Sequence, residues 1–194
     1  MNRMVSKRQK IVAVLVVVVV ALAGGGVVLL NQQPHDYRTP AQKIALAPGD
    51  AGLDGYGNLI DRRPFWPPYA DPANPIPPPN MTSGIDRFML NDTVYLYNGV
   101  LVFNTTNDCK AYFESFRSSR NGTTPQNISL GDEGFYMNDS VPGVYQSHDF
   151  VFTRANVFAD VTASTTQPNC PWLHNAAHAL ALQELEKIDA NLPV

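Results

Sequence analysis

The pattern of hydrophobic positions opens with an uninterrupted apolar run. Residues 11–30 contain no charged side chain, whereas residues 1–10 carry four cationic side chains and no acid. A helix of about 20 residues is about 30 Å long, which matches the hydrocarbon core of a bilayer. The cationic flank places the N-terminus in the cytoplasm. We therefore predict a single-pass cell-membrane anchor that contacts lipid through residues 11–30 and leaves the C-terminal part of the chain extracellular.

A cleaved signal peptide is the alternative interpretation of the same run. Ala21-Leu22-Ala23 has the small-residue pattern of a signal peptidase site. The apolar run nevertheless continues beyond that site to Leu30, which favours a retained anchor. Both interpretations export the remaining residues.

Proline dominates the segment that follows the anchor. Residues 31–84 hold 11 of the 16 prolines, and such a segment cannot supply the N–H groups of a helix or of a sheet interior. We predict an extended stalk or arm. Three aromatic side chains in this stalk, Phe65, Trp66 and Tyr69, are costly to leave exposed. We expect them to pack on the domain or to bind a partner protein.

Residues 85–194 carry the mixed periodicities of a compact domain. Helical spacing places Cys109, Phe113 and Phe116 on one face of a helix, and Asn169-Cys170-Pro171 opens a second helix. The order is strand, helix, strands, helix. It predicts an α+β domain with two helices packed on one face of a small antiparallel sheet. The predicted strands are 93–103, 128–137, 150–153 and 156–161, and the predicted helices are 109–120 and 170–191.

The charge distribution and the cysteines limit which classes of partner and which compartment the sequence allows. All 17 acidic side chains but only ten of the 14 Lys and Arg side chains follow the apolar run, so a nucleic-acid partner is disfavoured. The two cysteines, Cys109 and Cys170, lie on the oxidising side. We predict one disulfide between them, which would close a loop of about 60 residues and stabilise the domain by roughly 4 kcal/mol. Two unpaired buried thiols are the alternative.

Six Asn-x-Ser/Thr sequons lie in the exported part, and they favour a glycosylated surface if the host glycosylates. Their asparagines are Asn80, Asn91, Asn104, Asn121, Asn127 and Asn138.

Two short patterns in the C-terminal half carry a resemblance. Gly131-Asp132-Glu133-Gly134-Phe135 is followed by Phe150 to Val157, which includes Arg154-Ala155-Asn156-Val157. This arrangement resembles exported lipoproteins and sensor-type ectodomains of archaea and actinobacteria, some of them PsbP-like. In those proteins a Gly-Asp-Glu-aromatic strand precedes an Arg-Gly-Asn-Val hairpin and a C-terminal helix, and Ala155 stands where they usually have glycine. The resemblance covers residues 128–194 and implies a fold and an exported location, with no functional residue.

Two patterns offer metal ligands. His174 and His178 lie four residues apart on the last predicted helix, a spacing that suits Zn²⁺ or Cu²⁺. His148 or Asp149 would be a third ligand if the fold brought one of them near. A partly buried, hydrogen-bonded histidine pair is the alternative.

The second pattern fits Ca²⁺. Asp50, Asp54 and Asp61 occupy positions 1, 5 and 12 of a calcium-type loop, with Gly55 at the sharp turn. Position 3 is glycine and position 12 is aspartate rather than glutamate. A Gly/Asp-rich turn is the alternative.

Glu184 falls on the apolar arc of the last predicted helix, where a carboxylate must find a partner or face a cleft. Arg154 or Arg117 would supply that partner.

No catalytic constellation accompanies these features. The chain lacks a Gly-x-Ser-x-Gly elbow, a phosphate-binding loop and a dinucleotide fingerprint. Our leading hypothesis is a non-enzymatic surface protein without a cofactor, which presents its domain for binding or assembly with partner proteins. A metal-binding (Zn²⁺, Cu²⁺ or Ca²⁺) or metal-dependent hydrolytic ectodomain is the alternative. A pilin-like filament subunit is the second alternative, although the processing site of such subunits is missing before Ile11.

Overall fold

A computed structural model describes residues 40–50, 58–62, 79–90, 93–120 and 123–191 of the chain. For residues 58–62 it describes only the backbone. Three helices occur in these ranges: α1 (Ala41–Ile44), α2 (Thr106–Ser119) and α3 (Leu173–Ala190). The strands are β1 (Asn58–Arg62), β2 (Met81–Leu90), β3 (Tyr95–Phe103), β4 (Gln126–Ile128), β5 (Glu133–Asn138), β6 (Gln146–Arg154) and β7 (Val157–Thr165).

The strands form one antiparallel sheet in the order β1-β2-β3-β7-β6-β5-β4. The predicted α+β class and antiparallel sheet are confirmed. The predicted hairpin is also present, because β6 and β7 pair on either side of Ala155 and Asn156. The predicted strand 128–137 is instead two strands, β4 and β5, because Gly131 adopts a left-handed φ of 65° between them.

Helices cover both faces of this sheet, so the prediction of two helices on one face is wrong. Val100, Ala159 and Phe152 belong to a core cluster that includes α3 and α1. Leu101 and Phe158 belong to a second cluster, which α2 covers. Neighbouring residues of a strand point to opposite faces. The continuous apolar runs of β3, β6 and β7 are therefore those of strands buried on both sides.

The two faces separate the cysteines. Cys109 lies on α2 in one cluster, and Cys170 precedes α3 in the other. Both side chains are buried and both are free thiols, so the predicted disulfide is not formed. Burial is the main cause that raises the pKa of Cys109 well above its usual range, and the nearby carboxylates of Asp132 and Glu133 add to it.

The compact unit begins earlier than residue 85. It extends from Asp36 to Val194, and it includes parts of the segment that we predicted as a stalk. Strand β1 pairs with β2 at the edge of the sheet. Ala41, Ile44 and Leu46 are buried in the larger core cluster. Proline thus marks an extended chain here, but part of that chain lies on the domain.

Several predictions fall outside the described residues. They concern the basic flank, the anchor at residues 11–30, the aromatic side chains of Phe65, Trp66 and Tyr69, and the candidate ligand Asp54. Within the described ranges, no helix combines the length and the apolar character that crossing a bilayer requires.

The two patterns that carry the family resemblance meet in space. The Asp132 carboxylate accepts a hydrogen bond from the Ala155 amide at 2.6 Å and pairs with Arg154 at 2.9 Å. Arg154 also pairs with Asp189 of α3 at 2.6 Å. Ala155 has a left-handed φ of 51°, which explains the usual glycine, and its buried side chain joins the larger core cluster. These motif residues hold the β6–β7 turn against α3.

We predict that Gly131→Ala will lower the free energy of unfolding by about 3 kcal/mol. This loss is the sum of two costs, a left-handed backbone conformation for alanine and the overpacking of its methyl group. A Cβ at Gly131 would lie 2.2 Å from the backbone oxygen of Thr153. Gly143→Ala is the matched control. Gly143 has a φ of 75°, but a Cβ added there would meet no atom within 4 Å, so this variant should lose only about 1 kcal/mol. Urea unfolding of the purified chain measures both, and equal losses would contradict the packing argument.

Candidate functional site

An apolar loop projects from the end of the sheet between β5 and β6. Val141 and Tyr145 form an isolated antiparallel bridge, in which the Val141 amide donates to the Tyr145 carbonyl at 2.8 Å. Pro142 and Gly143 make the turn, and Gly143 takes a left-handed φ of 75°. Val144 is 61% exposed at the tip. The loop therefore holds its apolar side chains in water by its own backbone hydrogen bonds.

Three grooves surround this loop, and Tyr145 lines all of them. One of about 220 Å³ lies between the loop and residues 166–169. A second of about 270 Å³ also includes Leu90 and Tyr95, at the end of β2 and the start of β3. A third of about 550 Å³ includes Thr123 and Asp139. Trp172, which is 46% exposed, follows residues 166–169 along the chain. This end of the domain thus combines concave surface with exposed apolar side chains.

Polar contacts fix the base of the loop. The Ser147 amide donates to Ser140 Oγ at 3.0 Å, and the Asp139 amide donates to the Ser147 carbonyl at 3.2 Å. Beneath them lies Asp149, whose Oδ1 accepts from Ser147 Oγ at 3.2 Å. Burial raises the pKa of Asp149 to about 6, and the nearby Asp139 carboxyl contributes to this shift. The exposed loop therefore stands on a buried polar base.

The fold also gathers three of the four histidines. The rings of His148 on β6 and His174 on α3 lie 5.4 Å apart and perpendicular to each other. His148 Nδ1 is 2.8 Å from the hydroxyl of Tyr136. The ring of His178 lies 5.2 Å from that of Phe150. His148, which we named from the sequence as a third ligand, is thus next to His174, whereas Asp149 points to the opposite face.

The histidine cluster offers a limited donor set for a metal ion. Burial lowers the pKa of His148, and the neighbouring His174 lowers it further, so the neutral imidazole of His148 is favoured. The hydrogen bond between the Tyr136 hydroxyl and His148 Nδ1 orients the His148 ring, as partners of metal-bound histidines do. Among the described residues, no group of three or more His, Cys, Asp or Glu side chains is arranged to hold a metal ion. A metal ion at this cluster would have the imidazoles of His148 and His174 and water molecules as its ligands.

The calcium pattern is only partly within the described residues. Asp50 Oδ2 accepts from the Ala47 amide at 2.6 Å and pairs with Lys187 Nζ at 2.7 Å. Asp61 lies on strand β1, of which only the backbone is described. The Asp50 carboxylate therefore serves a contact to α3, and the calcium site stays a prediction.

Glu184 is buried on α3 as its position on the apolar arc indicates, but neither predicted arginine is its partner. Arg154 pairs with Asp132, which directly precedes β5, and with Asp189 of α3. Arg117 donates to Asn127 at 2.6 Å. Glu184 instead contacts Asn98 of β3 and the backbone of Leu46.

Four of the six predicted glycosylation sites are described, and all four asparagines are exposed: Asn80, Asn104, Asn127 and Asn138. Exposure is compatible with glycans, whose presence stays a prediction. Asn138 is three residues before Val141, so a glycan there would lie next to the apolar loop.

Sequence reasoning missed the apolar loop. Its signal is a Pro-Gly turn flanked by Val141, Val144 and Tyr145, where a loop between strands is usually polar. Sequence reasoning also missed Tyr136, because only the register of β5 with β6 places it beside His148.

The fold resembles a domain of known structure. The extracellular domain of PknH from Mycobacterium tuberculosis superposes with a TM-score of 0.50 at 12% sequence identity, over 77% of this chain and 95% of that domain. No family model matches the chain, and no curated protein matches it in sequence. At this identity the likeness shows the fold. The fold that the predicted resemblance to sensor-type ectodomains implies agrees with this likeness.

We predict that His174→Asn will raise the pKa of His148, because it removes a neighbouring imidazole that disfavours the charged form of His148. His178→Asn is the control, since the His178 ring contacts Phe150 one helical turn away. An NMR titration of the imidazole resonances measures both variants. The same shift in both variants, or no shift in His174→Asn, would contradict the proposed coupling.

Proposed function

We propose that this chain is a membrane-anchored extracellular protein whose domain binds a partner protein through the apolar loop 141–145 and catalyses no reaction. One observation carries the proposal: Val144 is 61% exposed at the tip of a turn, on a domain whose sheet is otherwise covered on both faces in its central strands. Val141, Tyr145 and Trp172 add further exposed apolar surface. Contiguous exposed apolar side chains are typical of interaction sites.

The shape of the loop supports a protein partner. A Pro-Gly turn and an internal bridge pre-organise the loop, which lowers the entropy that binding must cost. The grooves on its sides offer pockets for side chains of a partner. Aromatic residues with a polar tip, such as Tyr145 and Trp172, are enriched at protein interfaces.

The apolar loop lies far along β2 from residue 41. The Ala41 amide donates to Ser83 Oγ at 3.0 Å, so Ala41 lies near the start of β2. The groove beside Tyr145 lies at Leu90, the end of the same strand. Seven residues of strand separate these points by about 23 Å. The loop is therefore at the opposite end of β2 from Ala41.

We expect a photo-reactive amino acid at position 144 of the full chain, in its native membrane, to capture a defined exported protein. Because apolar contact carries this binding, the additional change Tyr145→Asp should reduce capture by more than tenfold. Gel electrophoresis and mass spectrometry of the cross-linked product measure the result. The matched control carries the same probe at Leu182, which is 42% exposed on helix α3.

Equal capture from positions 144 and 182 would contradict the loop as binding site. Capture of a cytoplasmic protein would contradict the topology. In a host that glycosylates, the experiment is repeated with Asn138→Gln, because a glycan at Asn138 would shield the loop.

The histidine cluster favours a second candidate function, metal binding. The specific observation is that His148 and His174 lie side by side and that Tyr136 orients His148. On this alternative, the chain purified without chelator would bind about one Zn²⁺, and His174→Asn would abolish that binding. Equilibrium dialysis against Zn²⁺ followed by elemental analysis measures the stoichiometry. Unchanged binding in His174→Asn would locate any ion elsewhere and remove this alternative.

A further inference from the structure

A short segment before the sheet is strapped onto the domain. Residues 41–46, which we call the strap, consist of helix α1 and the two residues after it. Ala41, Ile44, Ala45 and Leu46 are each at most 2% exposed, and they belong to the core cluster that α3 covers. The strap is therefore part of the core, although it lies within the proline-rich segment.

Two cations bind the strap through its carbonyl oxygens. Arg87 of β2 donates from Nη1 to the carbonyls of Ala45 at 2.7 Å and Leu46 at 2.8 Å. Lys187 of α3 donates from Nζ to the Ala45 carbonyl at 2.8 Å and to Asp50 Oδ2 at 2.7 Å. Both cations therefore donate hydrogen bonds to carbonyl oxygens of the strap, and Lys187 also donates to Asp50.

Glu184 makes the third contact with the strap. Its Oε2 accepts from the Leu46 amide and from Asn98 Nδ2, both at 2.8 Å. Glu184 is 0% exposed and Asn98 is 1% exposed. In the described part of the chain, neither Glu184 Oε1 nor Asn98 Oδ1 has a hydrogen-bond partner. Glu184 and Asn98 thus share one hydrogen bond, from Nδ2 to Oε2, and each of them leaves its other buried oxygen without a donor.

A proton on Glu184 Oε1 resolves this arrangement. The carboxylic acid then donates to Asn98 Oδ1 while Oε2 accepts from Asn98 Nδ2, which gives a cyclic acid–amide pair. An ionised carboxylate would leave both acceptors unpaired, which is unfavourable in a buried site. The charged groups around Glu184 are Arg87 from β2, Lys187 from α3 and Asp50 after the strap, and the cations bind carbonyls and Asp50 rather than Glu184.

The electrostatic environment agrees with this geometry. Burial raises the pKa of Glu184 to about 7, although the hydrogen bonds from Leu46 and Asn98 and the charges of Lys187 and Arg87 act to lower it. The protonated form is therefore accessible near neutral pH, where an ordinary glutamate is ionised.

We propose that Glu184 is a neutral carboxylic acid that locks the strap onto the domain, and that loss of its proton releases the strap. Release would free about 35 Å of extended chain, residues 41–50, between the sheet and whatever precedes residue 40. The device would change the length of chain that is free before the sheet. It is independent of the apolar loop, because its contacts involve no residue of 141–145.

The direction and size of the effect follow from linkage. The pKa of Glu184 is about 7 with the strap bound and takes the ordinary value of 4.5 when the strap is released. The bound state therefore holds more protons between these values, so the strap is held most tightly at low pH and loosens as the pH rises towards 7. Between pH 5.5 and 8.5 the opening equilibrium should increase by about 30-fold.

Hydrogen exchange of the full chain in detergent tests the proposal. Protection factors, corrected for the intrinsic pH dependence of exchange, are compared at pH 5.5 and 8.5. We expect the Leu46 amide to lose about 30-fold in protection at the higher pH. The amides of β3 and β7 serve as the internal reference, because they change only with global unfolding. Unchanged protection of the Leu46 amide in the wild-type chain would by itself overturn the proposal.

Glu184→Gln is the decisive variant. The glutamine amide reproduces the neutral acid, donating to Asn98 Oδ1 and accepting from Leu46, so the strap should stay protected at both pH values. Glu186→Gln is the matched control, because Glu186 is exposed on the same helix, and it should keep the wild-type pH response. A pH response that persists in Glu184→Gln, or a strap that exchanges freely there at both pH values, would overturn the proposal.

Discussion

The structure depends on one constraint: its central strands are apolar on both faces. Val100 and Leu101 follow each other in β3 and point to opposite sides, as do Ala159 and Phe158 in β7. A sheet of this kind must be covered twice, because either bare face would expose apolar surface. Helix α2 covers one side. On the other side, α3 is joined by the strap, so the chain before the sheet becomes part of the core.

Burying the strap has an electrostatic consequence. A segment that crosses a sheet face without joining the ladder must find other partners for its backbone groups. Arg87 and Lys187 supply donors for its carbonyls, and Glu184 supplies an acceptor for the Leu46 amide. An acceptor that is wholly buried and receives no bond from either cation is more stable as the neutral acid. The same packing that completes the core therefore creates a titratable contact near neutral pH.

Sequence periodicity predicted the helices and their buried faces better than it predicted which parts of the chain pack against each other. The helix face with Cys109 and Phe113 and the arc with Ala177 and Ala181 are buried as expected. The predicted disulfide is wrong because Cys109 and Cys170 lie on opposite faces of the sheet. Local spacing carries no information about which face of a sheet a helix covers. The strap was hidden for a related reason. Leu46 and Glu184 are 138 residues apart, and proline content alone indicates extended chain whether it lies free or packed.

The motif that carries the predicted resemblance to exported ectodomains has a structural role in this chain. Gly131 has no room for a side chain, and Asp132 holds the β6–β7 turn through Ala155 and Arg154. These residues specify a hairpin and its contact with α3, so chains can share them while differing in what they bind. This chain and the extracellular domain of PknH share a fold at 12% sequence identity, so the same fold can carry different surface residues. In this chain the distinctive surface is the loop at Val144, where no packing requirement explains the apolar side chains.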